Sequence, residues 1–531
     1  MASTAWLDCF AGPWDQELTG FHAWWETVGL RTPVDKPAWT RNAAIYEVHI
    51  GTALFKDAYT YAPFPRAADL VQYLSTIKAL GFDTIQLMPR HPYPSYTIVD
   101  YRDVTTSWGE EDALQELIAA AHSQGMHVIL DLLLHGVLDR QAIDRTVTAI
   151  HQHRLLDTRA TGQLAQYVLD FEMAWRAEAV DVHSLLIEHP DWFLHDDAGA
   201  VTGVYTHGLD LANPAVQDYI IEQLQYLVEH LGVDGFRFDA PTWNELPNWA
   251  PGLAYSAGHA ILGSIALFRK ARAVLKRLRP DLLLYTEPSG PLFRESMDLT
   301  YNYDEQWLIG ALLGVERTSN LPPAWRPEQA ITAAGLAEWF AQRQQALPAD
   351  SITVHHVDSH DTFWWADPGT KWRREQYGDA ATSAMIAALG LIDGGYMSYA
   401  GGEHGQEQVL RKILHLRHAL PEVAQGRCDY RAVRADQPMV FTPLRSLGDL
   451  HTVVAVNLAD AELEATLAIP ATRLSLATPL TIYDALQEHF LRSPRGSLIH
   501  DPEELAALRV PFARYAARAL VLRPVDGTAR S

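Results

Sequence analysis

The chain has 531 residues, 48% of them apolar, and its 65 acidic residues outnumber its 42 lysines and arginines, which gives a formal net charge of −23. This length exceeds the usual size of a single domain, so we expect one large domain and at least one accessory domain. The acidic balance argues against nucleic acid or another polyanion as a partner and suits a neutral substrate, although solubility alone would also account for it.

Cysteine usage and the N-terminal residues bear on the compartment. Cys9 and Cys428 are the two cysteines, so no disulfide framework is implied and a reducing compartment is compatible with the sequence. The first ten residues lack a basic start followed by an apolar run, and no later stretch is apolar over the length of a membrane span. We therefore expect a cytoplasmic protein that has no membrane partner.

The first elements follow an aromatic extension. Residues 1–40 are rich in tryptophan and phenylalanine, and because aromatic side chains mostly bury area, we expect this segment to pack on the large domain rather than to stack on sugars. The run 43–50 then predicts a strand, the helical spacing of 70–80 predicts a helix that Gly81 ends, and the run 82–89 predicts a second strand.

A third strand and a long interruption come next. The strand is predicted at 127–136 and carries an aspartate, Asp131, within its apolar run. Residues 137–208 leave the strand–helix alternation, so we interpret them as an inserted domain, largely helical between 141 and 179. An amphipathic helix at 215–231 leads back to the next strand.

The fourth predicted strand ends on an arginine and an acid. Residues 232–241 have the sequence Gly-Val-Asp-Gly-Phe-Arg-Phe-Asp-Ala-Pro. Residues two apart on a strand point to the same side, so Arg237 and Asp239 project together. The guanidinium is expected to keep the carboxylate ionised, as a carboxylate nucleophile requires. Taken alone, the same pair would equally fit an ordinary salt bridge.

Two later apolar runs also stop on acidic residues. Residues 282–286 precede Glu287, and residues 352–357 precede the pair His360-Asp361, which we expect to close the seventh strand. If these strands are parallel and closed into a barrel, Asp239, Glu287 and Asp361 converge at its C-terminal rim, where the active sites of such barrels lie.

The remaining elements complete a barrel and predict a second domain. Strands are predicted near 300–304 and 395–403, and a basic amphipathic helix at 407–420 is expected to end the barrel. Beyond it, short apolar runs alternate with turn residues at 438–443, 451–457, 465–469 and 519–522. This spacing is typical of an antiparallel β-sandwich.

These stretches resemble the alpha-amylase family of retaining glycoside hydrolases. The segment 235–239, Glu287 and His360-Asp361 are similar to its second, third and fourth signature regions in order, and Asp131 lies in the counterpart of the first. The resemblance covers residues 43 to 410 and implies an α/β fold: a (β/α)8 TIM barrel with an insertion after the third strand and a C-terminal β-sandwich. The expected division is an N-terminal extension at 1–40, the barrel at 41–136 and 209–425, the inserted domain at 137–208 and the sandwich at 426–531.

The resemblance also implies roles for single residues. Asp239 is expected to attack the anomeric carbon and Glu287 to act as general acid and then as base, while Asp361 holds the hydroxyls of the sugar. Other expected substrate-binding residues are Arg237, His360, Tyr96 stacking under the sugar, Asp131 orienting the arginine and the nucleophile, His135, and Trp243 in the loop after the nucleophile.

The sequence departs from the family pattern at two places. Thr97 follows Tyr96 where relatives have an aspartate, and His135-Gly136 stands where the family has Asn-His. If Gly136 takes the histidine position, a hydrogen bond to the substrate is lost unless His135 supplies it. His135 also replaces an asparagine that is often a calcium ligand in relatives, and since calcium prefers oxygen ligands, no calcium site is predicted.

No cofactor and no metal ion are expected. The histidines of the insertion are His183, His189, His195 and His207, and they lack the His-x-x-x-His spacing of a zinc helix. A metal-dependent barrel using the same acids would favour carboxylates on adjacent strands, whereas Asp361 lies two strands beyond Glu287.

The expected substrate is an α-glucan or an α-linked oligosaccharide, cleaved by hydrolysis through a covalent glycosyl–aspartate intermediate. Transfer of a glucosyl or maltosyl unit to another sugar uses the same carboxylates and stays open. A non-catalytic carbohydrate-binding relative is a further interpretation, which the departure at Gly136 allows and the intact set Arg237, Asp239, Glu287 and Asp361 disfavours.

Overall fold

Eight parallel strands close into a barrel. They are β1 (Ala44–Val48), β2 (Thr84–Leu87), β3 (His127–Leu133), β4 (Gly235–Asp239), β5 (Leu283–Thr286), β6 (Leu299–Tyr301), β7 (Thr353–His356) and β8 (Gly395–Tyr399). Each strand pairs with its neighbours in sequence, and β8 pairs with β1 to close the ring. The computed structural model describes residues 25, 27–50, 53–54, 60–88, 98, 100–102, 111–134, 136–137, 184–195, 199–201, 207–241, 257–287, 290–301, 304–313, 331–364, 366, 369–471, 474 and 478–525. The expected barrel is confirmed.

The alternation of side chains along each strand separates an inner from an outer core. On β4, Phe236 and Phe238 belong to the large apolar cluster that lies under the helices, and Arg237 between them enters the barrel. A second cluster fills the interior with residues such as Ile129, Tyr285 and Met397. Polar residues at the inner positions of the strands are therefore surrounded by apolar walls.

The start of β4 requires a glycine. A Cβ atom on Gly235 would lie 2.4 Å from the carbonyl oxygen of Leu283 on β5, closer than any ordinary contact. Glycine lets these two strands pair closely, and their register places Arg237 beside Tyr285.

Helices cover the outside of the barrel. The longer described helices are Ala67–Leu80, Glu111–Ser123, Pro214–Leu231, Ala257–Leu278, Asp304–Leu312, Ala333–Ala346, Asp379–Gly390 and Glu407–Ala419, and the short ones are Ser184–Glu188, His360–Trp364, Arg373–Tyr377 and Pro421–Ala424. The helix expected near 70–80 ends at Gly81, whose φ of 105° favours glycine. Among the described residues between β5 and β6, the helical element is a 3-10 turn, Pro291–Glu295. None of the described helices combines the length and the apolar composition that crossing a bilayer requires.

The described part of the N-terminal extension lies against the N-terminal ends of the strands. Trp25 Nε1 donates to the carbonyl oxygen of Ala346 (3.0 Å), and Thr32 Oγ1 donates to that of Ala349 (2.6 Å). Trp39 packs against the interior cluster of the barrel. These contacts close one end of the barrel; residues 1–24 lie outside the described part.

The chain between β3 and β4 is described in pieces. Gly136–Val137 pairs with His207–Gly208, and a short helix, Ser184–Glu188, leads into the 3-10 turn Pro190–Trp192. The helical stretch expected at 141–179 lies outside the described residues.

Two antiparallel sheets form the C-terminal part of the chain. The larger sheet contains Arg427–Asp429, Val440–Phe441, Leu444–Leu447, Leu450–Asn457, Leu480–Asp484, His489–Phe490, Ile499–His500 and Ala517–Pro524, and the smaller one contains Arg434–Ala435, Leu463–Ala468 and Leu508–Phe512. An apolar cluster that includes Val453, Leu467 and Leu520 lies between them. The expected C-terminal β-sandwich is confirmed, and its larger sheet packs on the barrel through residues such as Val454 and Val521.

Candidate active site

Arg237 is the central residue of a buried polar cluster at the inner face of the barrel. Its side chain is fully buried, and Nη1 donates to Asp131 Oδ1 (3.0 Å) and to Asp239 Oδ1. Asp131 is opposite Arg237 in the pairing of β3 with β4, so neighbouring strands bring the two side chains together. Asp239, the last residue of β4, retains 15% of its side-chain exposure, which leaves it within reach of a substrate.

Glu287 follows β5 directly and faces the same guanidinium. Its amide donates to the carbonyl oxygen of Phe238 (3.0 Å), which extends the pairing of β4 with β5 by one residue. Its Oε1 lies 3.8 Å from Arg237 Nη2, and its side chain is 15% exposed. Its Oε2 accepts a hydrogen bond from the amide of Ala240. Ala240 has a φ of 40°, an unfavourable value for alanine, so the backbone is strained directly after the strand that carries Asp239.

Asp361 joins the cluster through a tyrosine. Tyr301, the last residue of β6, accepts from Arg237 Nη2 and donates to Asp361 Oδ2 (3.1 Å). The side chain of Asp361 is 18% exposed. The expectation that His360-Asp361 closes the seventh strand is wrong, because β7 ends at His356 and the pair opens the short helix His360–Trp364. The structure nevertheless brings the three acids together at one end of the barrel.

Burial dominates the electrostatics of these acids. Loss of solvent, followed by the charge of Glu287, raises the pKa of Asp239 well above its usual range, although Arg237 opposes the change. Arg237 acts in the expected direction, since it lowers the pKa of Asp239, but burial and the charge of Glu287 outweigh it. Burial likewise raises the pKa of Asp131 to about 6 in spite of Arg237. The guanidinium of Arg237 does not offset the effect of burial and of the neighbouring carboxylates on these two pKa values.

His360 is held by a glutamate of the first strand. Its Nδ1 lies 2.7 Å from Glu47 Oε1, and its amide donates to Glu47 Oε2 (2.8 Å). Its Nε2 lies 3.5 Å from Asp361 Oδ1. Burial by itself disfavours the imidazolium, but the carboxylates of Asp361 and Glu47 outweigh it and raise the pKa of His360 to about 10. These carboxylates therefore favour the protonated form of the imidazole.

Sequence reasoning missed two residues of this cluster, Glu47 and Tyr301. Glu47 is the single ionisable carboxylate of β1, and its burial inside an apolar strand was the available signal. Tyr301 gave no such signal, because a tyrosine ending a strand is ordinary. Their partners are far away in the sequence, so these contacts follow from barrel closure.

Three of the residues expected to contact the substrate lie outside the described residues: Tyr96, His135 and Trp243. The roles assigned to them stay predictions. Of the residues that depart from the family pattern, Thr97 and His135 also lie outside the described residues. Gly136 is described and pairs with Gly208.

Glu47, Asp131 and His360 have ligand atoms within 4.8 Å of one another. Each already has a partner in the protein: Asp131 accepts from Arg237, and Glu47 contacts the imidazole of His360. The polar groups of all three residues are therefore engaged within the protein.

The sequence of this chain is similar to those of known proteins. Residues 68–436 match the family model described as the alpha amylase catalytic domain. The chain is 33% identical over 433 residues to the alpha-amylase MalA of Haloarcula japonica, which covers 78% of this chain and 53% of that protein. It is 24% identical over 407 residues to the 1,4-alpha-glucan branching enzyme GlgB of Corynebacterium efficiens, which covers 73% and 48%. The chain spans about half the length of these curated relatives.

Solved structures share the fold. The noncanonic maltogenic alpha-amylase AmyB from Thermotoga neapolitana superposes with a TM-score of 0.62 at 17% identity, over 90% of this chain and 99% of that one. The debranching enzyme from Nostoc punctiforme gives a TM-score of 0.62 at 17% identity, over 91% and 99%. At this identity the likeness concerns the fold alone.

Proposed function

Because this chain belongs to the alpha-amylase family, we propose that it cleaves α-glucosidic bonds of an α-glucan or α-linked oligosaccharide with retention of configuration. The observation that supports this most directly is the arrangement around Arg237. Asp239 contacts its guanidinium, Glu287 lies 3.8 Å from it, and Tyr301 links it to Asp361. Retaining glycosidases use two carboxyl groups that flank one bond, and here Asp361 is linked to the same arginine as the pair.

In the first step, an oxygen of Asp239 attacks the anomeric carbon while the bond from that carbon to the leaving oxygen breaks. Glu287 donates its proton to the leaving oxygen, so the departing sugar leaves as a neutral alcohol. In the second step, Glu287 takes a proton from water or from a sugar hydroxyl. The oxygen so activated displaces Asp239 from the anomeric carbon, and both carboxyl groups return to their starting states.

The proton in this pair must rest on Glu287 for the first step. Burial and the charge of Glu287 raise the pKa of Asp239, whereas its direct contact with Arg237 lowers that pKa. Since the guanidinium touches Asp239 and lies 3.8 Å from Glu287, the negative charge is more stable on Asp239.

His360 and Asp361 are assigned to the sugar itself. The imidazolium offers an N–H on its Nε2 side, and the carboxylate of Asp361 beside it accepts hydroxyl hydrogens. The negative charge of Asp361 also suits a transition state in which positive charge develops on the ring.

Hydrolysis is the first candidate, and transfer to a sugar hydroxyl is the second. The relative with the higher identity of the two compared above is described as an alpha-amylase, and the other as a branching enzyme. The two reactions share the covalent intermediate and differ in which hydroxyl enters in the second step. Incubation with maltooligosaccharides, trehalose, sucrose and glycogen, followed by chromatography, separates them. Shorter products alone indicate hydrolysis, and longer or newly branched products indicate transfer.

The variant Glu287→Gln tests the assignment of the acid. It keeps the shape of the side chain and removes the proton, so turnover of natural α-glucosides is expected to fall roughly 10²- to 10⁴-fold. A substrate with fluoride as leaving group needs no proton at that step and should lose much less. Glu305→Gln, a buried glutamate outside the barrel interior, is the matched control. Wild-type turnover by Glu287→Gln on natural substrates would refute the assignment.

A further inference from the structure

We infer that Glu47 is a positioning residue of this active site, which fixes the imidazole of His360 and the start of the helix that carries Asp361. The inference rests on the proposed function, because it assigns His360 and Asp361 to the sugar. It concerns a residue on β1 that makes no contact with the proposed nucleophile or acid among the hydrogen bonds of the described residues.

Both carboxylate oxygens of Glu47 are engaged. Oε1 lies 2.7 Å from His360 Nδ1 and accepts from Gln86 Nε2 (2.9 Å). Oε2 accepts from the amide of His360 (2.8 Å). The side chain is fully buried, so no water competes for these oxygens. Glu47 therefore holds the ring and the backbone of His360 at once.

This arrangement fixes what the other side of the ring can do. With Nδ1 bound to Glu47, Nε2 points toward Asp361, whose Oδ1 is 3.5 Å away. A carboxylate at one nitrogen sets the orientation of an imidazole and strengthens its hold on a proton. The free rotation that a surface histidine has is absent here, so Nε2 is aimed before the sugar arrives.

The charges around His360 favour its protonated form. Glu47 on β1, Asp131 on β3 and Asp361 on its own helix are acidic, whereas Arg237 on β4 is the opposing cation. Removal of the charge of Glu47 takes away the anion in direct contact with Nδ1. The imidazolium then loses its proton at a lower pH.

The chain contains a second buried glutamate–histidine pair for comparison. Glu305 Oε1 lies 2.9 Å from His355 Nδ1, and both side chains are 1% exposed. Glu305 also pairs with Arg343, and His355 Nε2 contacts the carbonyl oxygen of Asp393 (2.8 Å). This pair has the same chemistry as Glu47–His360 and is likewise buried, and the hydrogen bonds and ion pairs of the described residues do not join it to the three acids.

The experiment compares Glu47→Gln with Glu305→Gln. Each variant keeps the shape of its side chain and loses one buried charge. For Glu47→Gln we expect kcat/KM on an α-linked oligosaccharide to fall roughly tenfold or more, with the alkaline limb of the pH profile moved to lower pH. Glu305→Gln should keep the activity and the pH profile of the wild type. Its unfolding midpoint should fall by about as much as that of Glu47→Gln.

A double-mutant cycle tests whether Glu47 acts through His360. In a His360→Gln background, the further change Glu47→Gln should leave kcat/KM nearly unaltered. Gln86→Met, which removes one neutral hydrogen bond to Glu47 Oε1, should give a smaller loss in the same direction and serves if Glu47→Gln does not fold.

The outcomes separate this inference from the proposed function. Wild-type kcat/KM and an unmoved pH profile in Glu47→Gln, or equal losses in Glu47→Gln and Glu305→Gln, would overturn the role of Glu47. If Glu287→Gln and Asp239→Asn lose turnover in the same assays, the proposed function stands without it. Full turnover in those two variants would overturn the proposed function itself.

Discussion

Arg237 is the residue on which the proposed catalytic acids converge, and its surroundings explain why the arginine is itself fully buried. Its guanidinium donates to Asp131 and Asp239 and to the hydroxyl of Tyr301. A planar group with several fixed donors suits such a role better than an ammonium group. Replacement by lysine would leave at least one acid without its donor.

Tyr301→Phe tests the link between Arg237 and Asp361. The change removes one hydroxyl that accepts from the arginine and donates to the aspartate (3.1 Å). Hydrogen bonds to charged groups contribute about 1.5–3 kcal/mol, so kcat/KM should fall roughly 10- to 100-fold. Steady-state kinetics on a maltooligosaccharide provides the measurement.

Tyr285→Phe is the matched control for that change. Tyr285 is also buried in the barrel interior, and its hydroxyl contacts the sulfur of Met397 at 3.9 Å, a weak acceptor. Its removal should change kcat/KM by less than about twofold. Equal losses in the two variants would mean that the hydroxyl of Tyr301 has no special part in the site.

Single residues differ in how far the sequence predicts them. Arg237 and Asp239 are two apart on one strand, so their common direction follows from local geometry. Glu47 and His360 are 313 positions apart in the chain, and their contact depends on how the barrel closes. The raised pKa of Asp239 could not be predicted from the sequence either, because it depends on burial and on Glu287, which follows another strand.

At the scale of elements, Asp234 joins the starts of two strands to two outer elements. Its Oδ2 accepts from the amide of Val128 at the start of β3 (2.7 Å) and lies 2.7 Å from His122 Nε2. Arg279 donates to its Oδ1. Although burial raises it, hydrogen bonds from His127, Val128 and His122 lower the pKa of Asp234 to about 2.

Asp234→Asn should therefore destabilise the fold in a pH-dependent way. The folded-state pKa is depressed, so the charged form stabilises the protein above the unfolded value near 4, and this contribution is lost as the pH falls toward 2. At pH 7 we expect a decrease in the free energy of unfolding of about 2 kcal/mol. Denaturant titrations between pH 7 and pH 3 should show the difference from wild type narrowing at the acid end.

Asp281→Asn is the control for that series. Asp281 pairs with the same Arg279 at 3.2 Å but is 61% exposed, so its loss should change stability by well under about 1 kcal/mol at every pH. A pH-independent loss in Asp234→Asn would contradict the assigned cause.

The order of elements was predictable from periodicity, and two local features were not. The runs that became β1 to β8 are apolar, and glycines end the helices before β2 and β4. The sequence placed His360-Asp361 on a strand because the apolar run leads into it, whereas the backbone turns into a helix there. The 3-10 turn between β5 and β6 in place of a long helix also gave no periodic signal.

At the scale of the whole molecule, a buried glutamate connects the barrel to the sandwich. Glu422 lies on the short helix Pro421–Ala424 and is fully buried. Its Oε1 accepts from Thr452 Oγ1 (2.6 Å) and from Arg523 Nη2 (2.6 Å), both on strands of the larger sheet. An unpaired carboxylate would be costly at such a position, so the two domains are expected to depend on each other.

Thr452→Val tests this dependence. It removes one of two donors to a buried carboxylate and should lower the free energy of unfolding by about 1–3 kcal/mol, with a single calorimetric transition and unchanged turnover at 25 °C. Thr442→Val, which loses a hydrogen bond to the carbonyl oxygen of Val433 inside the sandwich (2.9 Å), should cost less. Two separated transitions in the wild type would show that the domains unfold independently.

The measurement that bears most directly on the central claim is covalent trapping of the intermediate. A 5-fluorinated α-glucosyl fluoride reacts without a proton donor, and its ring fluorine slows the second step, so a glycosyl–enzyme ester should accumulate. Mass spectrometry of proteolytic peptides is expected to find one added glycosyl group, on the peptide that contains Asp239, and the label should be lost when a sugar acceptor is added. A label on another carboxylate, or an unlabelled enzyme that releases products of inverted configuration, would contradict the account.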